Sequence, residues 1–115
     1  MTANAPQNAE RPSTAEMAEV LRVLGNPLRL EILLWLKDPT RHFPPEQLPA
    51  DPLATGVCVT YIQAKAGLAQ STTSTYMMAM ERAGLVTSSR VGKWVHYRRD
   101  DQRIRALTEA LGQWL

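Results

Sequence analysis

TYIQAKAGLAQSTTSTYMMAMERAG, residues 60–84, holds two short helical patterns on either side of a break at Gly67. In the first, Tyr61, Ile62 and Ala66 form one apolar face. In the second, Thr73, Met77, Met80 and Leu85 recur near the helical period, which turns one side toward a core. The opposite side is Gln70, Ser71, Thr72, Ser74, Thr75 and Met78, mostly short, uncharged groups that hydrogen-bond. Two helices around a tight glycine turn, the second opening on small polar residues, have the form of a helix-turn-helix. In that motif the second helix lies in the DNA major groove with its N-terminal residues at base edges.

Downstream, LVTSSRVGKWVHYRRD (85–100) reads as a hairpin. Leu85, Val86, Val91, Trp94, Val95 and Tyr97 suit strands, and Arg90-Val91-Gly92-Lys93 supplies the turn. A hairpin attached directly after such a helix is a wing, with Arg90 and Lys93 placed to reach phosphates or the minor groove. Asp100 or Asp101 then caps a final helix whose Ile104, Leu107, Leu111 and Trp114 share one face.

Upstream, residues 1–12 are polar and aperiodic, as in a mobile tail. Ser13 with Glu16 has the capping-box spacing. Met17, Val20, Leu21 and Leu24 follow as an apolar stripe, and Gly25 ends the helix. Asn26-Pro27 then caps and starts a second helix, LRLEILLWLK, apolar around most of its circumference. Residues 39–57 contain five prolines and no regular period. They are expected as a connection wrapped over the surface, or as a regulatory loop or extra dimer contact through Phe43. Pairing the first and last helices with a two-fold mate would bury Leu21, Leu24, Leu107, Leu111 and Trp114 together and shield Trp35. These elements predict a mainly α fold with a small β-hairpin wing, a winged helix-turn-helix over residues 13–115 that dimerises through its N- and C-terminal helices.

The 115 residues suffice for one domain with a real core, and 44% apolar with 21% charged residues is ordinary globular composition. No apolar signal segment opens the chain, and the longest unbroken apolar run, Ile32 to Leu36, is too short for a bilayer. With one cysteine there is no internal disulfide, so a cytoplasmic protein without a membrane partner is expected. Net charge is only +2, but unevenly spread: residues 1–57 hold seven acids and five bases, residues 58–115 four acids and eight bases. The basic half carries the helix-turn-helix, which points to a polyanion there. A phosphate-cradling glycine loop, a nucleophile elbow and paired histidines with a carboxylate are all missing, so an enzyme is not expected.

In three stretches the chain resembles the ArsR-type (ArsR/SmtB) family of bacterial winged-helix transcriptional regulators. Residues 24–33, LGNPLRLEIL, look like the family's "LadptRl.IL" opening; residues 67–74, GLAQSTTS, resemble its "GlsqstvS" turn; residues 81–86, ERAGLV, match "reAGLV". The resemblance implies a homodimeric regulator, here a repressor of a (pseudo)palindromic operator in double-stranded DNA. It carries the DNA-facing role to Gln70, Ser71, Thr72, Ser74, Thr75 and Tyr76, with Arg90 and Lys93 on the wing. Family members often have histidines at the positions of Thr75 and Tyr76 and a basic residue at that of Met78, so a different operator is implied. A winged-helix protein-interaction module, whose second helix packs on another protein, is the alternative; exposed Arg90 and Lys93 argue against it.

Many such regulators release DNA on binding a metal. One family site has a Cys-x-Cys-x-x pattern, where this chain reads Gly56-Val57-Cys58-Val59-Thr60-Tyr61; one thiolate cannot supply the three or four ligands required. The second uses Asp and His pairs on the C-terminal helix, which has no histidine. His42, Asp51 and Cys58 make an imaginable set across subunits, yet His42 beside Phe43 and Pro44 reads as packed or solvated. His96 reads as facing DNA or solvent. No metal and no cofactor are therefore expected. Cys58 reads as a small buried residue, with a redox sensor as the functional alternative. An apolar effector under the proline-rich loop is the remaining possibility.

Overall fold

The computed structural model describes residues 11–115, so the polar tail expected over residues 1–12 lies largely outside the described residues, although Pro12 is already buried. Helix α1 (Thr14–Leu24) opens on the expected capping box: the Glu16 backbone N–H donates to the Ser13 hydroxyl, and the Ser13 N–H donates to the Glu16 carboxylate. That backbone donor, with Arg103 close by, holds the Glu16 carboxyl below its ordinary range. Met17, Val20 and Val23 enter the core, and Leu21 stays half exposed. The stripe is thus turned from its expected centre, because Val23 lies about 60° from Val20 around the helix and Leu21 about 100° on the other side. Gly25 ends the helix at φ −73°, without the left-handed turn that makes glycine necessary.

Helix α2 (Pro27–Lys37) starts on Asn26, whose Oδ1 accepts from the N–H groups of Leu28 and Arg29. Ile32, Leu33, Trp35 and Leu36 are buried, while Leu30 and Leu34, one turn apart, are 44% and 46% exposed. Trp35 needs no partner subunit to cover it. Phe43 meets it edge-on at 6.3 Å, and the Lys65 ammonium lies 5.0 Å from its ring centre. Phe43 is itself buried, so it is core and not a surface contact.

The proline-rich stretch is more ordered than its lack of period suggests. It holds two single-turn helices, α3 (Pro39–His42) and α4 (Pro52–Thr55), and a 3-10 turn at Pro45–Gln47. Each begins with a proline, where the missing N–H costs nothing and the fixed φ suits the first helical position. The Ala54 N–H donates to the Asp51 carboxylate, capping α4.

Strand β1 (Val57–Cys58) comes next, then α5 (Val59–Ala66), α6 (Gln70–Arg82), β2 (Val86–Val91), β3 (Trp94–Arg99) and α7 (Asp101–Trp114). The expected two-stranded hairpin is thus a three-stranded antiparallel sheet of order β1-β3-β2, with Val57 opposite Tyr97 and Cys58 opposite His96. Two residues are too few to show a period of two, so β1 leaves no mark in the sequence. Its approach depends on Gly56, at φ +97°, where a Cβ would sit 2.5 Å from the Tyr97 carbonyl oxygen. Val57, Val86 and Tyr97 back the core with Ile62, Met77, Met80, Leu85 and Leu107. Burial raises the Tyr97 phenol above its ordinary value.

Gly56→Ala should therefore lower the denaturant midpoint by more than Gly67→Ala does. Gly67 also has a positive φ, 68°, but nothing lies within 4 Å of an added Cβ. The expected losses are about 1 kcal/mol for Gly67→Ala and on the order of 3 kcal/mol for Gly56→Ala. Equal midpoints for the two variants would mean that β1 gives way at no cost.

Candidate nucleic-acid interface

Helices α5 and α6 are joined by Gly67-Leu68-Ala69, with Gly67 in the left-handed region and its N–H donating to Gln63 and Ala64 carbonyls. Thr73, Met77 and Met80 bury one side of α6, and the Thr73 hydroxyl is satisfied by the Ala69 carbonyl. The side away from the core exposes Gln70, Ser71, Ser74, Thr75 and Met78, with Arg82 at its far end. No side chain caps the start of α6, because Ala69 has none to offer. Thr75 donates its hydroxyl to the Ser71 carbonyl, which leaves its oxygen as an acceptor.

Two of the expected DNA-facing residues depart from that side. Thr72 is half-buried at its edge. Tyr76 points back to the α1–α2 junction: its hydroxyl accepts from Asn26 Nδ2 at 3.1 Å, and its ring lies 4.9 Å from the Arg29 guanidinium carbon. Arg29 is held in turn by donating Nε–H to the Val23 carbonyl at 2.7 Å. Tyr76 thus anchors the helix from behind. Its phase within α6 already separated it from Ser74 and Met78, but its partner fifty residues earlier had no sequence signal. Arg82, one turn beyond Met78, was legible from periodicity and went unassigned.

The wing turn is tighter than expected. Arg90 and Val91 remain in β2, and Gly92-Lys93 alone connects Val91 to its partner Trp94. Gly92 at φ +62° supplies the positive φ that a two-residue hairpin loop demands. Arg90, Lys93 and Trp94 are all exposed, and the Lys93 ammonium lies 5.4 Å from the centre of the Trp94 ring. Neither Arg90 nor Lys93 forms an ion pair among the described residues.

Cys58 and His96 come together across the sheet. His96 is half-buried on β3, beside a cleft and away from the wing tip. Its Nδ1 is buried without a hydrogen-bond partner among the described residues, and Cys58, also buried, stands opposite it in the sheet. Among the described residues no group of three or more His, Cys, Asp or Glu side chains could hold a metal. Of the residues assigned to a subunit contact, Leu107 is only 3% exposed within its own chain and has little surface left to give. Leu21 and Trp114 are 48% and 45% exposed, and Leu24 and Leu111 are half-buried.

No family model matches the chain. It is 44% identical over 96 residues, covering 84% of this chain and 95% of the relative, to the uncharacterized HTH-type transcriptional regulator YbzH of Bacillus subtilis (strain 168). It is 32% identical over 92 residues, 80% of this chain and 66% of the relative, to ArsR2 of Halobacterium salinarum, a candidate arsenical resistance operon repressor. Among solved structures, it matches the homodimeric winged helix-turn-helix DNA-binding domain Mb0332 of Mycobacterium bovis, a candidate ArsR-family regulator. That match has a TM-score of 0.60 at 23% identity and covers 86% of this chain and 78% of the other.

Tyr76→Phe should cost about 1 kcal/mol in urea unfolding by removing the hydroxyl that Asn26 engages. Thr75→Ala, on the exposed side, should change stability by less than ~0.5 kcal/mol. A Tyr76→Phe protein as stable as its parent would show that this hydroxyl does not hold α6 in place.

Proposed function

The chain belongs to the ArsR family of winged helix-turn-helix transcriptional regulators, and on that premise we propose that it is a homodimeric repressor of a (pseudo)palindromic operator. The observation that carries the reading is the uncovered side of α6 beside a cationic wing tip. Gln70, Ser71, Ser74 and Thr75 offer donors and acceptors to base edges, with Thr72 at the edge of the set. Tyr76 serves by fixing the helix that presents them. The uncapped N–H groups at the start of α6 suit a phosphate. Arg90 and Lys93 supply charge that fixes register along the duplex without reading its sequence.

Two copies are needed for a two-fold operator, and the apolar surface left on one chain supports that assembly. Leu21, Leu30, Leu34 and Trp114 are large apolar residues exposed on α1, α2 and α7. Such surface is costly in water and favours burial against a second copy. Leu24 and Leu111 contribute the edges of the contact, while Leu107 supports it from within the core.

The release signal acts, in this reading, at Cys58 or beside it. A disulfide between the Cys58 residues of two copies would require β1 to leave β3 first, since the thiol is buried in the sheet. Small reagents that enter beside the strand fit Cys58 better than a second protein chain does.

Lys93→Ala should weaken binding to every duplex and flatten the plot of log affinity against log salt by roughly one. Gln70→Ala and Ser74→Ala should lose about 1–3 kcal/mol of discrimination between operator and random DNA. Fluorescence anisotropy on both duplexes separates these roles, and equal losses for all three variants on both duplexes would remove them.

Leu21→Glu and Trp114→Glu, both at exposed positions, should convert a sedimenting dimer to a folded monomer with lost operator affinity. Dimers that persist in both variants would move the subunit contact elsewhere.

A further inference from the structure

A cleft of about 340 Å³ opens between the 3-10 turn of the proline-rich segment, the start of α5 and the wing strand β3. Leu48, Cys58, Thr60, Tyr61, Trp94 and His96 line it. Its size falls at the lower end of small-molecule sites, roughly 300–1,000 Å³. We infer that this cleft binds a small neutral aromatic molecule, and that its occupancy weakens the wing's grip on DNA. The second half rests on the DNA-binding reading above.

The lining selects the ligand class. Two aromatic rings, Tyr61 and Trp94, with Leu48 between elements, favour a flat apolar body. Across the sheet, Cys58 and Ser89 both stand opposite His96, so the three side chains share one face of the sheet with Trp94. His96 Nδ1 and Thr87 Oγ1, both on that face, are buried without a partner among the described residues, so the sheet itself offers the cleft an apolar floor. Glu46, also on the lining, disfavours an anionic ligand at that wall.

The same residues connect the cleft to the wing. Trp94 is half exposed and immediately follows Lys93, whose ammonium is drawn to the Trp94 ring. A ligand packed on that ring alters the surface that holds Lys93 and the strand that carries it. Tyr61 and Thr60 lie in α5, the first helix of the helix-turn-helix, so one molecule touches both parts that the duplex would contact.

The test uses the full chain labelled with 5-fluorotryptophan, whose three tryptophans give three fluorine resonances, that of Trp94 being assigned with Trp94→Phe. Titration with p-cresol should move the Trp94 resonance saturably and leave Trp35 and Trp114 unmoved. Toluene should move the same resonance, and benzoate should not compete. Thr60→Trp and Gln47→Trp, each checked for an unchanged melting temperature, should fill the cleft and abolish the shift. A Trp94 resonance unmoved at millimolar p-cresol, or a shift that survives both filling variants, overturns the site. Anisotropy of a labelled duplex is read in parallel: p-cresol should lower affinity in the parent and not in the filled variants. Unchanged affinity at saturation overturns the coupling to the wing. A chain that binds no duplex refutes the DNA reading, while the fluorine titration still decides the cleft.

Discussion

The Asn26 side chain is bonded at both ends, its oxygen to the first N–H groups of α2 and its nitrogen to the Tyr76 hydroxyl. Arg29, whose own N–H is one of those capped, then lays its guanidinium against the Tyr76 ring and ties back to the end of α1. Three helices converge on this cluster. The consequence is directional: with Tyr76 held inward beside the buried Thr73, Met77 and Met80, α6 presents its polar residues outward. This matters for a helix opening Gln-Ser-Thr-Thr-Ser-Thr, a run of modest intrinsic helix formers. Packing of Thr73, Met77 and Met80 supplies the stability that local propensity does not.

The second constraint is the pairing of β1 with β3. It places the residues just before α5 in the same sheet as the wing, so the first helix of the helix-turn-helix and the cationic hairpin share a rigid frame. The hairpin is therefore not a free arm. Cys58 is paired with His96, three residues beyond Lys93 at the wing tip. Coupling across so short a distance needs only a packed contact with two arrangements, and no long relay.

Much of this was legible because it is local. The Ser13–Glu16 box, the Asn26-Pro27 start and the buried set Thr73, Met77, Met80 and Leu85 follow from spacing and capping chemistry alone. What escaped is what depends on distant partners. Tyr76 reads as a surface residue until Asn26 is seen to engage it. Strand β1 is too short to carry a period. His96 alternates correctly within its strand, but the segment that covers it was read as irregular. The proline-rich segment shows no period for a related reason: Pro39, Pro45 and Pro52 each start a turn too short to carry one. Leu107 shares its helical face with Leu111 and Trp114, and only the depth of packing sorts core from rim.

The stretch from Pro39 to Thr55 is pinned at one end by α2 and at the other by the glycine-dependent entry into β1. Between these fixed points its length hardly affects the reading head, since closing a longer loop adds only a slowly growing entropic cost. Descendants of this chain can thus lengthen its exposed turns while Phe43 stays packed on Trp35 and α6 and the hairpin keep their relative pose. The architecture separates a fixed-geometry module from editable surface turns, and new chemical inputs can be acquired in those turns alone.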